Sequence, residues 1–212
     1  MDDIFEDNAA LRVKAWWDKY GKTVIATLGL AIAITVGHQF YQQQKTNTVV
    51  AASMLYDAYQ QALIGDKEDA LKASAAVLRK DYPNTAYATA VVLLEASRAS
   101  FDERYADAEE ELVWLQKNGK PFAKPLATLR LAQIKVSQQD LTGAAAVLDA
   151  MPLDENIPEG GYLAGFEELR GDIAAMQGNR AKAGEHYGKA LAAYKAQDFN
   201  NVLLQMKTET YH

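Results

Sequence analysis

The stretch that decides the fold is LRGDIAAMQGNRAKAGEHY, from Leu169 to Tyr187. It carries Gly171 and, twelve residues later, Ala183, with the turn-forming pair Gly178-Asn179 between them. Small side chains at this spacing let the two helices that flank the turn cross closely. The stretch therefore predicts a pair of packed antiparallel helices.

The same arrangement recurs three times upstream. The small residues that pair across a turn are Ala58 with Ala70, Ala96 with Ala108, Ala132 with Ala144, and Gly171 with Ala183. Their first members are 38, 36 and 39 residues apart, close to the tetratricopeptide period of about 34 residues with short loop extensions. Apolar residues follow three- and four-residue spacing and no alternating β-branched runs occur, so the sequence predicts an all-α chain. We expect residues 45–212 to form a tetratricopeptide-like α-solenoid of about four helix pairs.

An uncharged stretch precedes the repeats. Residues 23–44 carry no formal charge, and a helix of this length matches the thickness of a bilayer. Aromatic residues flank both ends, as at membrane interfaces, namely Trp16, Trp17 and Tyr20 before the stretch, and Phe40 and Tyr41 at its far end. We expect a transmembrane signal anchor. A cleaved signal peptide and a buried core helix remain as alternatives, but no small-residue cleavage pattern follows the apolar run.

The distribution of positive charge predicts the orientation of this anchor. Arg12, Lys14, Lys19 and Lys22 precede it, whereas only Lys45 follows before Lys67. Residues 1–22 should therefore be a cytoplasmic tail, and residues 45–212 should lie across the membrane.

Three small residues recur every fourth position within the anchor. Gly29, Ala33 and Gly37 would share one helix face, on which another transmembrane helix could pack closely. The alternative is the general abundance of Gly and Ala in membrane helices.

Composition argues against several classes of function. The formal charge is −6 and no Lys/Arg cluster could follow a phosphate backbone, so nucleic acid is not an expected partner. There is no cysteine, and His38, His186 and His212 lack the spacing of metal ligands. We expect no catalytic residues, no metal and no cofactor.

The chain resembles a known family, the YfgM proteins, which are ancillary subunits of the bacterial Sec translocon. The resemblance is carried by LRLAQIKVSQQDLTGAAAVLD from Leu129 to Asp149, by the stretch from Leu169 to Tyr187, and by LLQMK from Leu203 to Lys207. It implies a single-span protein of the bacterial inner membrane with its repeat domain in the periplasm. Implied partners are the SecYEG channel, a membrane-anchored periplasmic chaperone and newly exported polypeptides.

The resemblance also implies a binding groove. If the first helix of each pair lines the concave side, one equivalent position holds Tyr59, Ser97, Gln133 and Asp172, with Arg130 nearby. The C-terminal segment from residue 197 could cap the array or occupy the groove. Two other classes remain open: an anchored scaffold or regulator of an envelope stress or assembly complex, and an enzyme with a convergent polar pocket.

Overall fold

The computed structural model describes residues 3–151 and 161–211. These residues form helices and no strand, which confirms the predicted all-helical fold for this part of the chain. Residues 152–160 lie outside the described residues, as does His212. The helices are α1 (Asp3–Ile64), α2 (Glu68–Asp81), α3 (Ala86–Phe101), α4 (Tyr105–Asn118), α5 (Ala123–Ser137), α6 (Leu141–Asp149), α7 (Gly161–Met176), α8 (Arg180–Lys195) and α9 (Val202–Tyr211).

Contacts divide the chain into two units, Met1–Ala51 and Ala52–His212. The first unit consists of the N-terminal part of α1, and every side chain described between residues 25 and 50 is exposed. Among them are large apolar side chains such as Ile25, Leu28 and Ile34, each about three-fifths exposed at 61%, 62% and 64%. Trp16 packs on Tyr20 with ring centroids 5.9 Å apart.

In the described part of the chain, no single helix combines the length and the apolar character needed to cross a membrane. Two segments of α1, Lys14–Thr23 and Ile25–Ile64, meet both requirements jointly and are bent by 40° relative to each other.

The second unit is built from four helix pairs: the end of α1 with α2, α3 with α4, α5 with α6, and α7 with α8. Each turn within a pair has three residues, and the middle one has a left-handed backbone. These middle residues are Asp66, Glu103, Gln139 and Gly178, with φ of 50°, 58°, 64° and 77°. The turn predicted at Gly178-Asn179 is confirmed, and the other three pairs turn at the equivalent place.

The register of the first pair differs by one residue from the prediction. Ala58 and Ala70 are exposed, whereas Tyr59 and Leu71 occupy the buried positions that Ala96 and Ala108 hold in the next pair. Asp66 supports this register independently, because it follows Tyr59 by seven residues, as Glu103 follows Ala96. Packing was mispredicted here because a tyrosine replaces the small residue.

The core is divided into four apolar clusters that follow the repeats. Each of the first three combines one pair with the first helix of the next pair: α1–α2–α3, α3–α4–α5 and α5–α6–α7. The last cluster combines α7 and α8 with α9, whose Leu204 is fully buried. A helix pair has an apolar face that it cannot cover alone, and the neighbouring pair covers it. Helix α9 takes that role at the C-terminal end.

Candidate binding groove

A cavity of about 140 Å³ lies between the first helices of the second and third pairs. Its apolar side is formed by Leu93 and Ala96 of α3, Leu112 of α4 and Ile134 of α5. Its polar side is formed by Ser97, Ser100, Arg130, Gln133 and Ser137. Three of the five groove residues predicted from the sequence, Ser97, Arg130 and Gln133, are therefore brought together.

Helix geometry explains why these side chains share one cavity. Ser97 and Ser100 are three residues apart on α3, and Gln133 and Ser137 are four apart on α5, so each pair lies on one helix face. The sequence reasoning missed Ser100 and Ser137. The same three- and four-residue spacing, counted onward from the two predicted positions, would have found both.

Arg130 and Gln133 are hydrogen-bonded to each other across one turn of α5. The Arg130 guanidinium donates to Oε1 of Gln133 at 2.9 Å, and the Ser137 hydroxyl donates to the Gln133 backbone carbonyl at 3.1 Å. Gln133 is half-buried and Arg130 is exposed. A guanidinium carries five N–H donors, so most of those of Arg130 remain available to a bound molecule.

Tyr59 lies in the core of the first pair rather than at a surface. Its side chain is fully buried, and its hydroxyl donates a hydrogen bond to the Glu95 carboxylate of α3. Burial and the hydrogen bond to Glu95 raise the pKa of Tyr59. In the corrected register the surface position equivalent to Ser97 is Gln60, which is exposed.

Asp172 is covered by the protein's own C-terminal helix. Its carboxylate accepts hydrogen bonds from the Tyr187 hydroxyl at 2.8 Å and from the Lys207 ammonium of α9 at 2.7 Å. Lys207 also binds Glu168 at 3.1 Å. Helix α9 thus lies over Asp172 of the last pair, while the cavity beside Ser97 and Gln133 is lined by residues of α3, α4 and α5 alone.

His186 is engaged with a carboxylate different from its sequence neighbour Glu185. Its Nδ1 lies 2.8 Å from Glu167 of α7, which is buried and also accepts a hydrogen bond from Arg170 at 2.9 Å. The group joins α7 to α8, and Arg170 extends it to Asp149 of α6 at 3.1 Å. Among the side chains that the structure describes, no three of His, Asp or Glu cluster in a way that could hold a metal ion.

The stripe predicted within the anchor is exposed. Gly29, Ala33 and Gly37 are all exposed, and an added Cβ at either glycine would meet no atom within 4 Å. The stripe is therefore sterically open along one helix face.

Comparison with known proteins identifies the family. The family model described as tetratricopeptide repeat-like domain matches residues 14–211. The chain belongs to this family. The match includes all four helix pairs and α9, together with the N-terminal part of α1 from residue 14.

Individual relatives support the resemblance to the YfgM proteins. A protein of Neisseria gonorrhoeae named ancillary SecYEG translocon subunit is 28% identical over 199 residues, which cover 93% of this chain and 92% of the relative. Proteins with the same name from Haemophilus influenzae and Aggregatibacter actinomycetemcomitans are each 25% identical, over 88% of this chain and 89% of the relative. No solved structure matches the chain.

Proposed function

We propose that this protein is a non-enzymatic accessory subunit of the Sec translocon that binds partner proteins and newly exported polypeptides in a chaperone-like role. The observation that carries the proposal is the alignment, over 88–93% of the chain, with relatives named ancillary SecYEG translocon subunit. The alignment covers nearly the full length of both proteins, so the similarity is not limited to the repeats.

Membrane anchoring through residues 23–44 is part of this proposal. Ile25, Leu28 and Ile34 expose most of their apolar surface, and lipid would remove that surface from water. The hydroxyls of Thr27 and Thr35 are compatible with lipid, because they donate to backbone carbonyls one turn earlier, at 2.5 and 2.8 Å. The backbone of this stretch is helical, so its N–H and C=O groups are hydrogen-bonded within the helix, as a bilayer requires.

The proposed topology places the protein in the bacterial inner membrane. The basic residues before the stretch favour a cytoplasmic location for residues 1–22, and residues 45–212 then lie in the periplasm. Gly29, Ala33 and Gly37 would face a helix of the SecYEG channel. This open stripe allows close backbone approach between helices.

The proposed contact region for polypeptides is the cavity beside Ser97, Arg130 and Gln133. A mixed apolar and polar lining suits a segment that inserts one side chain and satisfies polar groups around it. Partners in the periplasm would be exported chains and a membrane-anchored chaperone. Asp172 would take part only if α9 moved away, since Lys207 now occupies its carboxylate.

Site-specific photo-crosslinking in native membranes tests the proposal. A crosslinker at Ala33 is expected to capture translocon subunits, and one at Gln133 is expected to capture exported chains or periplasmic chaperones. Ala31 is the matched control for Ala33, because two residues place it about 200° around the helix. Gln177, exposed in the turn between α7 and α8, is the matched control for Gln133.

The crosslinking pattern distinguishes the two non-enzymatic functions. Capture of translocon subunits from Ala33 but not Ala31 supports the accessory role. Capture of a different membrane complex from Ala33, with no exported chains from Gln133, would contradict that role and favour an anchored scaffold or regulator.

A further inference from the structure

Arg130 differs from the other arginines whose side chains the structure describes. Four of them pair with carboxylates, namely Arg79, Arg98, Arg104 and Arg170. Arg180 instead donates to the Thr210 backbone carbonyl and lies over the Tyr211 ring. Arg130 donates only to the neutral Gln133, and within the described residues no carboxylate lies within ion-pair distance of it. Its charge is therefore uncompensated at the edge of a cavity.

The remaining lining of the cavity is suited to an anion beside an apolar group. Two hydroxyls, of Ser97 and Ser100, can donate hydrogen bonds, and Leu93 and Ile134 provide apolar surface. A volume of about 140 Å³ far exceeds the about 10–15 Å³ that one water needs, so a side chain fits. A guanidinium binds a carboxylate more strongly than it binds a neutral amide, because its hydrogen bonds to the carboxylate are charge-assisted.

The carboxylate could come from an acidic side chain or from a chain terminus, and the cavity favours the side chain. Proteins that capture a terminal carboxylate use free backbone N–H groups arranged in a nest. The lining residues of this cavity lie inside α3, α4 and α5, away from the first turn of each helix, so their N–H groups are already hydrogen-bonded within the helix. Only side-chain donors remain.

We infer that the cavity between α3 and α5 receives an Asp or Glu side chain of a bound polypeptide, held by Arg130, with an aliphatic neighbour packed near Leu93 and Ile134. This inference rests on the proposed binding function and specifies which segments are selected. It predicts a preference for acidic residues next to Leu, Ile or Val.

Binding of matched peptides to the full-length protein in mild detergent tests the inference. The first peptide is amidated, has a central Leu-Glu in an Ala/Ser/Gln background and carries an uncharged fluorophore for anisotropy. The second replaces Glu by Gln, and the third is the Gln peptide with a free C-terminal carboxylate. We expect the Leu-Glu peptide to bind about tenfold more tightly than the amidated Leu-Gln peptide.

Variants assign that preference to Arg130. Arg130→Gln is expected to bind both amidated peptides equally, at the affinity of wild type for Leu-Gln, and Arg130→Lys is expected to retain part of the preference. Lys182→Gln removes one positive charge from an exposed position on α8 and should behave as wild type. Circular dichroism checks that each variant is folded.

Each contrary result has a separate meaning. Equal binding of the Glu and Gln peptides by wild type would overturn the inference and leave the groove as a binding site. Equal binding of the Glu peptide and the free-carboxylate peptide would overturn the assignment to a side chain. Binding of none of the peptides would overturn the inference together with the polypeptide-binding part of the proposed function.

Discussion

Gly171 of α7 faces the ring of Tyr187 of α8 so closely that a Cβ added at position 171 would lie 2.5 Å from a ring carbon. Real Cβ atoms do not approach that near, and the ring is held by the hydrogen bond from its hydroxyl to Asp172. We predict that Gly171→Ala lowers the free energy of unfolding by about 1–3 kcal/mol, as overpacking does. Thermal and urea denaturation of the full-length protein, followed by circular dichroism, measure the change.

Gly188 on α8 is the matched control for this substitution. An added Cβ there meets no atom within 4 Å, so Gly188→Ala should gain helix stability of about 0.5–1 kcal/mol. Opposite signs for the two variants are expected. Destabilisation of similar size by both would show that close packing at Gly171 is not the cause.

Leu204 anchors α9 to the end of the array. Its side chain is fully buried beside Ala190 and Tyr187, whereas Leu203 next to it is 61% exposed. Leu204→Ala should lower the free energy of unfolding by about 2–4 kcal/mol through lost burial and a cavity. Leu203→Ala should change it by less than about 0.5 kcal/mol. Equal melting temperatures for the two variants would mean that α9 does not stabilise the array.

Glu111 makes stability depend on pH in a direction unusual for a carboxylate. Burial raises its pKa, against the effect of Arg79, and its Oε2 is buried without a hydrogen-bond partner among the described residues. The folded protein holds this proton more tightly than the unfolded chain does. The contribution of Glu111 is therefore greatest below the unfolded pKa and is lost as pH rises through the folded pKa.

The variant Glu111→Gln cannot take up this proton. We predict that the melting temperature of wild type, minus that of the variant, increases as pH falls from 7 to 4. Glu110→Gln, at an exposed neighbouring position, controls for the loss of one negative charge. A difference that stays constant across the pH range would refute the role of Glu111.

Gln139 has a left-handed backbone, with φ of 64°, at the turn between α5 and α6. A residue with a Cβ is strained there by about 1–2 kcal/mol, and glycine is not. Gln139→Gly should therefore stabilise the protein by about 0.5–1 kcal/mol after the larger entropy loss of glycine is subtracted. Gln138→Gly, at a φ of −79°, should destabilise it. Chemical denaturation that ranks the two variants in the reverse order would contradict this account.

The sequence predicted the later repeats better than the first, for a physical reason. In the fourth pair Gly171 and Ala183 are small because helices cross there, and Gly178 meets the left-handed turn without strain. In the first pair, which is rich in alanine, Ala58 and Ala70 have the right spacing by chance. The buried residue is instead Tyr59, one position later. The hydroxyl of Tyr59 found a partner in Glu95, 36 residues away, which spacing within one repeat could not indicate.

The candidate groove was predictable in part for a similar reason. Helical periodicity placed Ser97 and Gln133 at equivalent positions, and neighbouring first helices bring equivalent positions together. That Asp172, at the same position, is covered by Lys207 depends on where α9 packs. Arg130 has no carboxylate partner among the described residues. That result depends on the positions of all neighbouring side chains, and a single sequence does not specify those positions.

The four three-residue turns within pairs limit how this protein can change in length. Each turn has the left-handed residue in its centre, and Tyr59, Ala96, Ala132 and Gly171 precede these residues by seven positions every time. An insertion inside a pair would change this seven-residue spacing and rotate one helix of the pair relative to the other. Gene duplication could therefore extend the array only by whole units of about 36–39 residues, joined between pairs, and each new unit would add one more groove position.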